Sequence, residues 1–165
     1  VTELFKKAKD RGFHTALDTS GVLFDPRHPE KTDPLLKVTD LILLDIKHID
    51  GEEHRKLTGH SNENILAFAQ YLRDQQIPVW IRHVVVPGIT DQPSALRKLG
   101  RFLAELDNMK ALDVLPYHTM GKTKYKQLGM PYPLGDIPAL TKEEAICARG
   151  IILDGMKEKF REETL

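Results

Sequence analysis

Val38-Thr39-Asp40-Leu41-Ile42-Leu43-Leu44-Asp45-Ile46-Lys47 decides how this chain is read. The run Leu41 to Ile46 is almost wholly apolar, which suits a strand of a parallel sheet buried on both faces. It ends in a carboxylate and an ammonium two residues apart. Side chains alternate along a strand, so Asp45 and Lys47 point to the same side of the sheet. Three further stretches have the same form: His14-Thr-Ala-Leu-Asp18-Thr19-Ser20-Gly21, Val79-Trp-Ile-Arg82-His83-Val-Val-Val-Pro87-Gly88 and Ala111-Leu-Asp-Val-Leu-Pro-Tyr-His118. From residue 14 onward the four stretches start 27, 38 and 32 residues apart, with helix-like sequence between. Such spacing describes repeated strand–helix units. Folds of this kind place ligands beyond the carboxyl ends of the strands, where these polar residues lie.

The intervening segments carry helix signals. Helix 2–11 has Gly12 as its stop, and Asp33-Pro34 opens a short helix with proline preset for the first turn. Asp50-Gly51 begins another, ending near Gly59. Ser61 or Asn62 caps helix 63–75, whose apolar stripe is Ile65, Phe68, Ala69 and Leu72. Helix 93–107 carries Leu96, Leu99, Phe102, Leu103 and Leu106. Thr141-x-x-Glu144 is a capping box opening helix 141–162. Residues 119–138, rich in glycine and proline, read as a long connection without structure of its own, functional or mobile. The strands are expected at 14–18, 41–46, 79–86 and 111–116. Four parallel strands with crossover helices do not close an eight-stranded barrel, so the fold class expected is α/β, an open curved parallel sheet of about four strands with outer helices.

Composition narrows the function. The chain has 165 residues, one domain's worth, with 24 Lys plus Arg against 24 Asp plus Glu. A net charge of zero gives no basic excess for nucleic acid or an anionic membrane. The stretch Lys122, Lys124, Lys126 reads as a solvated loop. No apolar run approaches a membrane span. One cysteine excludes an internal disulfide framework, and Cys147, beside Ile146 and Ala148, is expected to be a buried structural thiol. A reducing cytoplasm is the simplest setting. Residue 1 is Val, and a helix feeding a strand opens the chain at once. We therefore expect residues 1–165 to be the carboxyl-terminal part of a longer domain whose amino-terminal strands precede them.

Several side chains carry candidate chemistry. Asp45 and Lys47 together bind a zwitterionic or polyhydroxyl ligand, or form a plain ion pair at the sheet's mouth. Asp18 and Thr19 end their strand, where Ser20-Gly21 favours a turn. Arg82, inside an apolar run, needs a partner: an anionic ligand, Asp45, or another acidic neighbour. His118 ends the last strand as a ligand contact or a structural hydrogen-bonder. His83 points away from Arg82 and packs between strand and helix. His48, His54 and His60, six residues apart, suit neither a helix face nor a strand face, and no metal site is read there. Walker, G-x-G-x-x-G, G-x-S-x-G and H-E-x-x-H motifs are absent.

Taken in order, His14-Thr-Ala-Leu-Asp-Thr-Ser-Gly21, Val38 to Lys47, Val79-Trp-Ile-Arg-His-Val-Val-Val-Pro-Gly88 and Leu115-Pro-Tyr-His118 with Gly121-Lys122 resemble the pyruvate formate-lyase activating enzymes. These are glycyl-radical activases of the radical S-adenosylmethionine type. The resemblance implies a partial (β/α)6 TIM-like barrel, S-adenosyl-L-methionine and a [4Fe–4S] cluster as cofactors, and pyruvate formate-lyase as protein substrate. The activity implied is reductive cleavage of S-adenosylmethionine and generation of a glycyl radical on that partner. It further implies an electron donor such as flavodoxin, a monomer, and no nucleic-acid or membrane partner. Carried over residue by residue, the cofactor contacts fall on Asp45, Ile46, Lys47, Arg82 and His118. Lys47 suits the cofactor's carboxylate and His118 its adenosyl end. Asp18, Thr19 and Asp45, with the backbone near Leu43, match a monovalent-cation site. No residue is assigned as catalytic.

The chain departs from the family pattern in one large respect. The family holds its cluster with a C-x-x-x-C-x-x-C run, and this sequence has one cysteine. We therefore expect these residues to be inactive by themselves. Competing readings are an activase of another glycyl-radical enzyme, a barrel lyase or aldolase using Lys47 as a Schiff base with Asp45 as proton shuttle, and a non-catalytic binding remnant.

Overall fold

The computed structural model describes residues 1–163. It is built of α1 (Thr2–Lys9), β1 (Ala16–Thr19), a 3-10 turn (Pro29–Lys31), α2 (Asp33–Leu36), β2 (Leu41–Asp45), α3 (Gly51–Thr58), α4 (Glu63–Asp74), β3 (Val79–Val85), α5 (Pro93–Leu103), β4 (Met109–Pro116), α6 (Gly121–Gln127) and α7 (Lys142–Glu163). The four strands form one parallel sheet in the order β1-β2-β3-β4. Each expected strand and helix is present to within a few residues at its ends, and the α/β open parallel sheet stands as expected.

Local chemistry accounts for the helix boundaries. Asp50 caps α3 by accepting from the backbone N–H groups of Glu52 and Glu53, and Gly59 closes it at φ 80°. Ser61 Oγ accepts from the Glu63 N–H at the start of α4, while Asn62 turns inward and donates to the carbonyls of His48 and Ile49. Thr141 and Glu144 form the expected reciprocal box at α7.

The sheet has two unlike faces. Ile42, Leu44 and Ile46 of β2 and its extension, with Val79 and Ile81 of β3, have no solvent exposure. They pack in one core with Ile65, Phe68, Ala69 and Leu72 of α4 and Leu96, Leu99 and Leu103 of α5. The alternate residues, Leu41, Leu43 and Asp45 of β2 with Trp80, Arg82 and Val84 of β3, lie on the other face and are only partly covered. The expectation that β2 is buried on both faces is thus corrected. Helices cover one face alone, and burial alternates with period two along the strand.

α7 docks on α5 through two glycines. A β-carbon on Gly100 would lie 2.0 Å from the Ile152 carbonyl oxygen, and one on Gly155 would lie 2.4 Å from that of Arg97. Backbone approaches this close admit only glycine. Two further expectations are corrected. Residues 119–138 contain α6, where a structureless connection was expected. Cys147 is exposed, because Ala145, Ala148 and Ile152 take the inward stripe of α7 and leave Cys147 on its outer side.

Candidate functional site

The carboxyl ends of β1 and β2 and the middle of β3 bring four charged side chains together on the open face. Parallel pairing sets Asp45 beside Arg82 and Asp18 beside Leu43. Arg82 Nε donates to Asp45 Oδ1 at 3.0 Å, and Arg82 also pairs with Asp18 through its terminal nitrogen. Lys47 Nζ donates to the second Asp45 oxygen at 2.8 Å. Asp45 is therefore held from both sides, and Arg82 joins β1, β2 and β3. Arg82 and Asp45 are about one-fifth exposed, Lys47 about one-third and Asp18 nearly two-thirds. Burial works against the charge of Arg82, and its two carboxylate partners more than offset that, so it holds its proton more tightly than an ordinary guanidinium.

The cluster balances two anions with two cations. It can meet a zwitterion by exchanging internal pairs for ligand pairs, since Lys47 and Asp18 keep contact with water. Of the partners open to Arg82, it meets two acidic ones here, Asp45 and Asp18. The Asp18 pairing had no signal in the sequence, because 64 residues separate it from Arg82 and only the register β1-β2-β3 makes them neighbours.

The other candidates are placed differently. The Ile46 side chain is fully buried on the covered face, so only its backbone is available at the strand end. The Thr19 side chain alternates with Asp18, and its hydroxyl accepts from the Gly21 N–H at 3.0 Å, the geometry of a tight turn. His118 stands exposed two residues beyond β4, next to the buried Tyr117. No hydrogen bond or ion pair joins it to Asp45, Lys47 or Arg82 among the described residues. Cavities lie near the ends of β1 and β2. One of about 490 Å³ lies between His48, Asp50 and Glu53 and the start of α5, and one of about 310 Å³ lies between Thr19, Phe24 and Phe68. Neither is lined by Asp45, Lys47, Arg82 or His118. The charged cluster occupies the open face instead.

Three other histidines, His48, His54 and His83, are buried and structural in their surroundings. His83 is buried, as its alternation with Arg82 requires, and its Nδ1 lies 2.8 Å from the Ile46 carbonyl oxygen. Burial pushes its imidazole below the ordinary range, with the hydrogen bonds to Ile46 and Thr90 opposing. His48 Nδ1 accepts from the Asp50 N–H, and His54 Nδ1 lies 2.7 Å from the His60 carbonyl oxygen. Among the described residues, no group of three or more His, Cys, Asp or Glu side chains is arranged to hold a metal ion. No helix among them is long and apolar enough to cross a membrane.

Comparison with known proteins gives this geometry a setting. The model of the radical SAM superfamily matches residues 1–99. The chain is 46% identical over 160 residues to the pyruvate formate-lyase-activating enzyme of Streptococcus mutans, covering 96% of this chain and 61% of that protein. It is 51% identical over 154 residues to the pyruvate formate-lyase-activating enzyme of Listeria monocytogenes, covering 92% and 62%. The chain thus spans about 60% of the length of these relatives. Among solved structures it is similar to a domain of pyruvate-formate lyase-activating enzyme from Bacteroides vulgatus, with a TM-score of 0.74 and 22% identity over 93% of this chain and 84% of that one. That likeness establishes the fold.

Proposed function

The chain belongs to the radical SAM superfamily, and from that premise we propose that it is part of a pyruvate formate-lyase activating enzyme. The observation that carries the reading is the joining of Asp45 and Lys47, at the carboxyl end of β2, with Arg82 of the neighbouring β3, in a chain alike to such enzymes along nearly its whole length. The activity proposed for the complete enzyme is reductive cleavage of S-adenosylmethionine and formation of a glycyl radical on pyruvate formate-lyase, its protein substrate. An electron donor such as flavodoxin, a monomeric state and a cytoplasmic location belong to the same proposal.

The family implies S-adenosylmethionine and a [4Fe–4S] cluster. The open-face cluster fits the first. S-adenosylmethionine, when bound, supplies a sulfonium whose carbon–sulfur bond is broken by one electron. Lys47 would hold its carboxylate, the Ile46 backbone would border it, and Arg82 would hold Asp45 and Asp18 in place. His118, exposed at the end of the adjacent strand, would meet the adenosyl end. The donor set does not fit the second cofactor. The sequence contains one cysteine, on the outer side of α7, whereas a cluster needs three thiolates. The 165 residues do not hold the cluster with their own side chains, and we propose that they are inactive alone. A monovalent cation at Asp18, Thr19 and Asp45 would compete with Arg82 for both carboxylates, and Thr19 would reach it more readily through its backbone than through its turn-bound hydroxyl.

Calorimetric titration of the chain with S-adenosylmethionine tests the reading. Saturable binding is expected, weakened about tenfold or more by Lys47→Ala. Absence of binding, or binding indifferent to Lys47, defeats it. Reconstitution with iron and sulfide is expected to leave the chain without a stoichiometric cluster. The Schiff-base alternative predicts borohydride trapping on Lys47, and the 2.8 Å pairing of its ammonium with Asp45 argues against a free amine there.

A further inference from the structure

We propose that His83 is a positioning residue for the Asp45–Lys47 strand end, clamping the peptide that follows Ile46 so that Lys47 is held toward the open face. The inference rests on the cofactor site proposed above and extends it to a side chain on the opposite face of the sheet. The pairing of β2 with β3 ends at Asp45 and Arg82, although β3 runs on to Val85. The last backbone bond between these strands is from the Ile46 N–H to the Arg82 carbonyl at 3.0 Å. Beyond it β2 leaves the sheet, and no backbone donor of β3 takes the Ile46 carbonyl. The His83 side chain takes it instead, at 2.8 Å.

This contact fixes the imidazole's state. Both ring nitrogens face carbonyl oxygens, Nδ1 that of Ile46 at 2.8 Å and Nε2 that of Thr90 at 3.5 Å. A carbonyl can only accept, and a neutral imidazole carries one N–H. Burial opposes the doubly protonated form, so the proton resides on Nδ1 and is donated to Ile46. Thr90 in turn is anchored, its hydroxyl donating to Val84 O at 2.8 Å and accepting from the Val86 N–H at 2.7 Å.

Two consecutive residues of β3 thus grip β2 from its two faces. Arg82 holds the Asp45 side chain on the open face, and His83 holds the Ile46 backbone on the covered face. Lys47 follows the clamped peptide directly. Without the His83 donor, the Ile46 carbonyl would be left without its buried partner, and the Ile46–Lys47 peptide would be fixed only from its ends, by the Ile46 N–H on the Arg82 carbonyl and the Asn62 amide on the His48 carbonyl.

The test compares the 165-residue chain with His83→Asn, whose amide can still donate from the Nδ1 position, and His83→Leu, which keeps bulk and loses the donor. In the unsubstituted chain, long-range 1H–15N spectra are expected to show His83 as the Nδ1–H tautomer with a slowly exchanging proton. The Ile46 backbone amide, which donates to the Arg82 carbonyl, is expected to exchange faster in His83→Leu than in His83→Asn. S-adenosylmethionine affinity is expected to fall ~5- to 10-fold in His83→Leu and to recover most of that loss in His83→Asn. Equal losses in both variants, no loss in either, or an Nε2–H tautomer overturns the clamp. If the unsubstituted chain binds no S-adenosylmethionine, the functional reading fails by itself, and the tautomer and the Ile46 exchange rates still decide the role of His83.

Discussion

On the covered face of the sheet, Ile42, Leu44 and Ile46 lose all contact with water against α4 and α5, whereas on the open face Asp45, Lys47 and Arg82 keep theirs and satisfy one another. β2 and its extension supply Ile42, Leu44 and Ile46 to one face and Asp45 and Lys47 to the other, one residue apart, and Arg82 of β3 joins the second set. The difference teaches that a single period-two pattern divides β2 into a row that holds the fold and a row that is free to change partners. Apolar burial is non-directional and needs only a close fit, so the covered row is apolar throughout. Charges half-withdrawn from water need specific partners, so the open row is organised by pairing.

Breaking the covered row should have the largest effect. Leu44→Ala is expected to cost ~3 kcal/mol of stability by lost burial and a residual cavity, measured by urea unfolding monitored by circular dichroism. A cost below ~1 kcal/mol would show that the two faces are less different than their burial implies. Gly100→Ala should follow at ~2 kcal/mol, since its β-carbon would meet the Ile152 backbone and α7 would have to shift off α5. The companion Gly155→Ala should not add fully to it, because both substitutions force apart the same α5–α7 interface; a double-mutant cycle measures this.

A third prediction sharpens the comparison at the other end of the strands. Asp40 accepts from the Thr15 N–H at 2.9 Å and pairs with Lys9, tying α1 to the entry of β1 and β2. The Lys9 hydrogen bond, then the Thr15 N–H, holds its carboxyl at about 2, below the ordinary 3.8. A depressed carboxylate stabilises the fold above its ordinary range and loses that contribution as pH falls toward the folded value. The stability advantage over Asp40→Asn should therefore be complete near neutral pH and shrink from about pH 4 to about pH 2. A constant difference across that window would remove Asp40 from the ledger of acid sensitivity. The smallest effect is expected at Cys147. Cys147→Ser should change stability by no more than ~0.5 kcal/mol, and the native thiol should react fully with a thiol reagent without unfolding.

Much of this was legible in the residues, for identifiable reasons. The apolar runs and their polar ends placed all four strands, because alternation is a local property. Asp50, Gly59 and the Thr141–Glu144 box marked helix ends, because capping involves groups three or four residues apart. Alternation also placed His83 on the side opposite Arg82. Cys147 escaped this logic: its neighbours Ile146 and Ala148 are apolar, yet the helix turns Ala148 inward and both Ile146 and Cys147 outward. The segment 119–138 misled through its glycines and prolines, which flank α6 and do not fall inside it except at Gly121, its first residue.

The sequence by itself determined which residues stand at the strand ends, since period-two and period-3.6 patterns act over a few residues. Only the tertiary structure decided that Arg82 would bind Asp18 as well as Asp45, that helices would cover one face of β2 and not the other, and that the His83 ring would take over where the ladder stops. Those outcomes depend on register between strands far apart in the chain, and register is set by the packing of the whole core, not by any one segment of it.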